Sequence, residues 1–207
     1  MAYKHGVYTS EVPTSVVPAV NTAAGLPVVF GTAPVHLASE RAQSNKPILC
    51  YSYAEAVQQL GYSKDWAKYT LCEVMYSQFA LYNRGPVVFV NVLDPKTHKK
   101  STSSKNVTVT NKVAKVDAPV LLDTLQIKAS TAGSALIAGS DYEAAYDDDG
   151  VLVITLLDDG TATAASNLTL TYDEIDAAAV DADDIIGGIN VSDGSVKGLE
   201  CLNKVFP

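Results

Sequence analysis

Three histidines (His5, His36, His98) and three cysteines (Cys50, Cys72, Cys201) are the side chains best suited to nucleophilic or metal chemistry in this 207-residue chain. Their spacing gives them no partners. There is no His-Glu-x-x-His pair, no Cys-x-x-Cys and no Gly-x-Ser-x-Gly elbow. The sequence therefore offers neither two zinc ligands on one helical face nor a strained serine turn. Dispersed and odd in number, the cysteines read as buried, reduced thiols of a cytosolic product. Asp147-Asp148-Asp149-Gly150 has the composition of a calcium loop. It lacks the EF-hand spacing and closing glutamate, and reads as a solvated hairpin tip. Asp181, Asp183 and Asp184 read as caps of a helix N-terminus, where exposed amides favour carboxylates. Asp94 is the best single acid or base candidate, yet it has no evident partner and reads as a capping carboxylate. Gly31-Thr32-Ala33-Pro34 lacks both phosphate-loop glycine patterns and reads as a strand exit. No catalytic, cofactor-binding or metal-binding residue is assigned, and the chain is read as a non-enzyme with no cofactor.

These residues need elements to hold them, and composition provides for a core: 47% of residues are hydrophobic. A net charge of -8 argues against nucleic acid as a partner. Residues 1–100 carry 9 Lys/Arg against 6 Asp/Glu, whereas residues 101–207 carry 6 against 17. That step predicts two units of different surface character. No apolar signal core opens the chain and no stretch reaches membrane-span length, so no membrane anchor is expected.

The opening stretch, Tyr3 to Val20, is apolar and extended. Val7, Val12, Val16, Val17 and Val20 favour β backbone. Pro13 and Pro18 exclude a helix interior and suit an edge strand. Leu26–Phe30 is a continuous apolar run of the kind buried on both faces of a sheet. Ser52 and Glu55 match a capping box, and Tyr53, Val57 and Leu60 share a face, which predicts a helix over 53–60 closed by Gly61. A longer helix is predicted over 65–82, with Cys72, Met75, Tyr76, Phe79 and Tyr82 as its apolar stripe and Thr70, Glu73 and Ser77 on the wet side. Pro86–Pro95 is a second buried strand. Strand, helices and strand predict a parallel crossover unit.

Beyond Asp94 the texture changes. Residues 96–104 read as a polar linker and a domain boundary. Short strands with turns follow to about 176, with Asp149-Gly150 marking a hairpin between 142–146 and 151–157. A short helix near Asp183–Ile186 and a helical stretch over 196–205, with Leu199, Leu202 and Val205 in step, complete the chain. The expected fold is α+β and multi-domain. It comprises an extended N-terminal arm (1–22), a partial α/β core with parallel strands and crossover helices (23–98 and 180–207), and an inserted all-β, sandwich-like domain (101–176).

Gly6-Val7-Tyr8, followed by the Pro27–Pro34 strand and its "GTAP" exit, resembles the start of the tail sheath proteins of contractile phage tails and phage-tail-like bacteriocins. "SYAEAVQQLGY" resembles that family's next segment, and "IIGGINVSDGSVKGLECLNKVFP" its return to the core. The resemblance covers about 1–95 and 185–207. The middle resembles, less specifically, the variable β domains that sheath proteins carry. Family members continue well past this ending, so the chain is expected to be an N-terminal part or a short form.

The resemblance implies a structural subunit that assembles around a tail tube by intersubunit strand exchange and contracts. Its partners would be neighbouring sheath subunits, as a homo-oligomer, and the tail tube protein. It would be located in the virion tail or a phage-tail-like particle assembled in the bacterial host cytoplasm. Val7, Tyr8, Val12, Pro13, Val16, Val17 and Pro18 are the assembly-arm residues it implies. The alternative is a surface- or carbohydrate-binding β module attached to an α/β domain, with Tyr142, Tyr146 and Tyr172 as its aromatics.

Overall fold

The computed structural model describes residues 25–130 and 133–204, so the arm residues Val7, Tyr8, Val12, Pro13, Val16, Val17 and Pro18 lie outside it. Strand β1 (Val28–Gly31) is followed by β2 (Ile48–Cys50), helix α1 (Tyr53–Leu60), helix α2 (Thr70–Met75) and β3 (Val87–Asn91). β3 is buried at every position and lies between the other two strands. It pairs in parallel with β1, Val28 opposite Val88, as the crossover pattern predicts. It pairs antiparallel with β2, Leu49 opposite Val88. β2 was not expected; three residues behind Pro47 are too short to carry a periodic signal.

Helix α1 starts and stops where its sequence says. Ser52 Oγ accepts the Glu55 amide at 3.3 Å. The Glu55 carboxylate reaches one residue further back than a capping box requires, to the Tyr51 amide at 2.9 Å. Gly61 ends the helix with φ 74°, and a Cβ there would overlap the Pro34 carbonyl, so glycine is required twice over.

The helix predicted over 65–82 is shorter and of two kinds. Residues 65–69 make a separate turn closed by Tyr69 N–H to the Asp65 carbonyl at 2.9 Å. Thr32, just past β1, then caps α2 from outside: its Oγ1 accepts the Thr70 amide at 3.1 Å and its carbonyl accepts the Leu71 amide at 3.0 Å. After Met75 the chain widens into a π-helical turn, Tyr76–Leu81. Cys72, Met75 and Phe79 are buried as the stripe predicts, but the wider turn leaves Tyr76 and Tyr82 exposed.

The expected linker over 96–104 is instead most of a strand, β4 (Lys99–Thr108). Next come β5 (Val113–Val116), β6 (Gln126–Lys128), β7 (Tyr142–Tyr146), β8 (Leu152–Leu156) and β9 (Asn167–Ile175). They form two antiparallel sheets, β4-β9-β6 and β5-β8-β7. The β7–β8 hairpin turns at Asp149-Gly150 as predicted, with Tyr142 opposite Leu156. β4 is an outer strand with an irregularity between Thr102 and Lys105. Lysines and a bulge are how an outer edge discourages further pairing.

Helix α3 (Ala182–Ile186), strands β10 (Gly188–Ile189) and β11 (Val196–Lys197), and a 3-10 helix (Gly198–Lys204) complete the described chain. Asp181 caps α3 through its carboxylate, as its position predicts. The stretch from Val196 begins as a strand, not a helix, and its buried anchor is Cys201; Leu199 is exposed.

Two apolar clusters hold these elements. One gathers Val35, Leu60, Leu71, Met75, Val87, Phe89 and Leu93 around β3. The other lies between the two β sheets and includes Ile127, Leu152, Ile154, Leu168 and Leu170. Truncating one such buried leucine to alanine costs about 2–5 kcal/mol. Leu121 and Ile175, from the β-rich part, belong to the first cluster, so the two are packed together. The architecture is mixed α+β, with several small sheets and few helices.

Candidate assembly surface

The arm residues named above lie outside the described residues, and so does His5. Residues 1–22, expected to form the arm, precede β1, whose one partner among the described residues is β3. Val28, Val29 and Phe30 on β1 are half-buried. An outer strand with apolar side chains, one edge of which pairs with no strand among the described residues, is a template for a further strand. Large apolar side chains are also exposed just past β2, at Tyr51, and at the end of the π-helical turn, at Leu81 and Tyr82. A second exposed set, Ile186, Ile189 and Val191, runs from the last residue of α3 onward. Of these side chains only Tyr82 belongs to a predicted stripe, that of the helix expected over 65–82.

The predicted titratable candidates resolve into structural parts. Asp94 Oδ1 accepts the Lys96 amide at 3.0 Å, the turn-capping role expected for it. Asp147 Oδ1 accepts the Asp149 amide at 3.2 Å and the Val151 amide at 2.9 Å, which builds the hairpin tip. Those amides hold its carboxyl below the usual range. Among the described residues no group of three or more His, Cys, Asp or Glu is arranged to hold a metal ion. Cys50 and Cys72 are buried, and desolvation pushes their thiols up to about 12 and about 11.

Three groups without a role assigned from the sequence organise the junctions. His98 sits where β4 leaves the β1–β3 body. Its Nδ1 accepts the Asp94 amide at 3.0 Å, and its Nε2 lies 3.1 Å from Asp184 Oδ2 on α3. Asn45, at φ 54°, ties down the final segment: its Oδ1 accepts the Gly198 amide at 3.1 Å and its carbonyl accepts the Cys201 thiol at 3.1 Å. Asp141, 7% exposed, accepts from the Ile137 amide and from the amide and hydroxyl of Thr161, each at 2.8 Å. These bonds hold its carboxyl below the usual range. Partners such as Thr161, 20 residues from Asp141, and Cys201, 156 residues from Asn45, leave no local signature.

The three tyrosines of the β part are used in packing. Tyr142 and Tyr172 are buried in its cluster. The Tyr146 hydroxyl donates to the Val120 carbonyl at 2.6 Å, and its ring meets His36. No helix among the described residues is long and apolar enough to cross a membrane.

No protein-family model matches the chain. The tail sheath protein of Burkholderia phage BcepMu is 30% identical to it over 210 residues, which cover 99% of this chain and 40% of that protein. The chain thus spans well under half the length of this curated relative. The alignment runs through the β-rich middle as well as the two flanking blocks that carry the resemblance in the sequence. The likeness is therefore one of nearly the whole chain, which is similar along its length to this tail sheath protein.

Proposed function

We propose that the chain does the structural work of a contractile-tail sheath subunit over the portion it spans. It assembles with copies of itself around a tail tube, in a virion tail or a phage-tail-like particle, and it has no catalytic role. The observation that carries this reading is the match to a tail sheath protein along 99% of the chain. Residues 1–22 act as an arm that adds a strand to a neighbouring subunit, with Val7, Tyr8, Val12, Pro13, Val16, Val17 and Pro18 making the contact. Such an arm links subunits while they move, because its backbone bonds survive a change in how the bodies pack. A head-to-tail contact of this kind need not close into a ring, and so builds a helical tube. Residues 23–98 and 180–207 form the body, and residues 101–176 an appended sandwich-like unit.

Support comes from the half-buried apolar outer strand β1. The carbohydrate-binding alternative needs exposed aromatics on the β unit, and its tyrosines are engaged elsewhere. The test is to delete residues 1–20 from the complete sheath gene product. The variant is expected to stay folded by circular dichroism and to give isolated particles, not tubes, in electron microscopy. Tubes of ordinary length would overturn the arm's role.

A further inference from the structure

His36 lies in a 3-10 turn (Val35–Leu37) between the body and the β7–β8 hairpin. It is 8% exposed. Its ring stands 6.0 Å from that of Tyr69 and meets Tyr146 of β7 edge-on at 5.4 Å. Its Nδ1 is buried with no hydrogen-bond partner among the described residues. The next residue, Leu37, lies against Gly150 at the hairpin tip: a Cβ on Gly150 would be 3.6 Å from Leu37 Cδ1. The hairpin therefore touches the body through a seam with an imidazole at its centre.

The charges that act on the ring itself are cations, with the Asp65 carboxylate 4.0 Å from Lys68. Arg41, from the loop after the turn, donates to the Val35 carbonyl at 3.1 Å. Lys68 lies beside Tyr69. Both cations, after burial itself, act against a proton on His36. The carboxylates of this region are engaged elsewhere. Asp123 faces Arg41 at 3.8 Å. Asp147 binds its own turn and Lys115. Tyr146 on β7 and Tyr69 on the body are neutral phenols whose ionisation is pushed up by burial. A protonated ring would thus have no anion to meet and one buried nitrogen newly needing an acceptor, which only water can supply.

We propose that this seam is an acid-released latch: with His36 neutral the β7–β8 hairpin is docked on the body, and protonation of the ring opens the seam. The sign follows from the direction of the shift. Docking holds His36 down at about 3 against an ordinary 6.5. Docking is therefore fully favoured above about 6.5 and is lost progressively as pH falls toward about 3. Each pH unit below about 6.5 favours the open form about tenfold, or about a hundredfold at pH 4.5.

Hydrogen exchange of the purified chain, corrected for intrinsic rates, tests this. Amides of residues 33 and 35–38 are expected to exchange about a hundredfold faster at pH 4.5 than at pH 7.5, while those of β3 keep their protection. His36→Phe, which keeps a ring but cannot charge, is expected to abolish the rise; His98→Gln is expected to keep it. No rise in the wild type, an equal rise in His36→Phe, or loss of the rise in His98→Gln would each overturn the latch. Should His36→Phe fail to fold, the His36 ring resonance decides. Titration near pH 6.5 with the seam still protected overturns the proposal. In Tyr146→Ala, which opens the seam, the ring is expected to titrate near its ordinary value, and failure to protonate by pH 4 would overturn it.

Discussion

The imidazole of His98 bridges the amide of Asp94 and the carboxylate of Asp184, with Nε2 3.1 Å from Asp184 Oδ2. Because Nδ1 accepts from an amide, Nε2 must carry the proton and donate it. One neutral tautomer thereby joins the end of the body's β3 segment to α3, nearly ninety residues further on. The same Asp184 oxygen accepts the Asp181 amide at 3.1 Å, so the contact also closes the α3 cap.

Removing that ring strands an amide and a carboxylate. His98→Ala is expected to destabilise the chain by about 1–3 kcal/mol. Asp184→Asn keeps a side-chain oxygen as acceptor and is expected to cost less than Asp184→Ala, which loses both bonds. Urea denaturation at pH 7 of the three variants gives the order, and an Asn variant as weak as the Ala variant would contradict it.

Asp141 sets a different expectation for its amide isostere. Both of its oxygens accept, one from the Ile137 amide and the other twice from Thr161. An amide NH2 would face a donor, so Asp141→Asn is expected to cost nearly as much as Asp141→Ala. The depressed carboxyl contributes stability above its ordinary value near 3.9, and that contribution is lost as pH falls through the lower folded value. The gap between wild type and Asp141→Asn in urea midpoint should therefore be wide at pH 7 and narrow as the pH is taken down to about 2. A gap independent of pH would mean that the carboxylate charge is not what matters.

Cys50 and Cys72 should be chemically silent in the folded chain. With thiols pushed up to about 12 and about 11, about one in ten thousand and one in a thousand are thiolates at pH 8. Ellman's reagent at pH 8 is expected to modify them only after denaturant is added. Rapid labelling of either under native conditions, located by peptide mapping, would show that the site opens.

What the sequence made legible was local or strongly patterned. The β1–β3 pair shows because strands buried on both faces read as continuous apolar runs. α1 shows because Ser52, Glu55 and Gly61 are its own punctuation, and the β7–β8 turn because Asp149-Gly150 suits it. β4 was hidden because an outer strand made of Lys, Ser and Thr has no apolar alternation and looks like a linker. α2 was misjudged because its cap, Thr32, comes from 38 residues upstream. The contacts of His36, His98, Asn45 and Asp141 were beyond reach for the same reason. Each is made by topology, and a lone polar residue does not say which distant one it will meet.

β4 and β9 carry the chain into and out of the β-rich part side by side, with Lys99 opposite Ile175 and the Asp176 amide on the His98 carbonyl at 2.9 Å. Both strands are thus anchored to the body at the same end of one antiparallel ribbon. A pull that draws the unit away from the body is divided between two covalent backbones running in parallel, and the rungs between them carry little of it. A push across the thin face of the ribbon meets its bending stiffness and the packed contacts of Leu121, Ile175 and the His36 seam. The ribbon thus resists most firmly along its own length, and the seams share the load from the side.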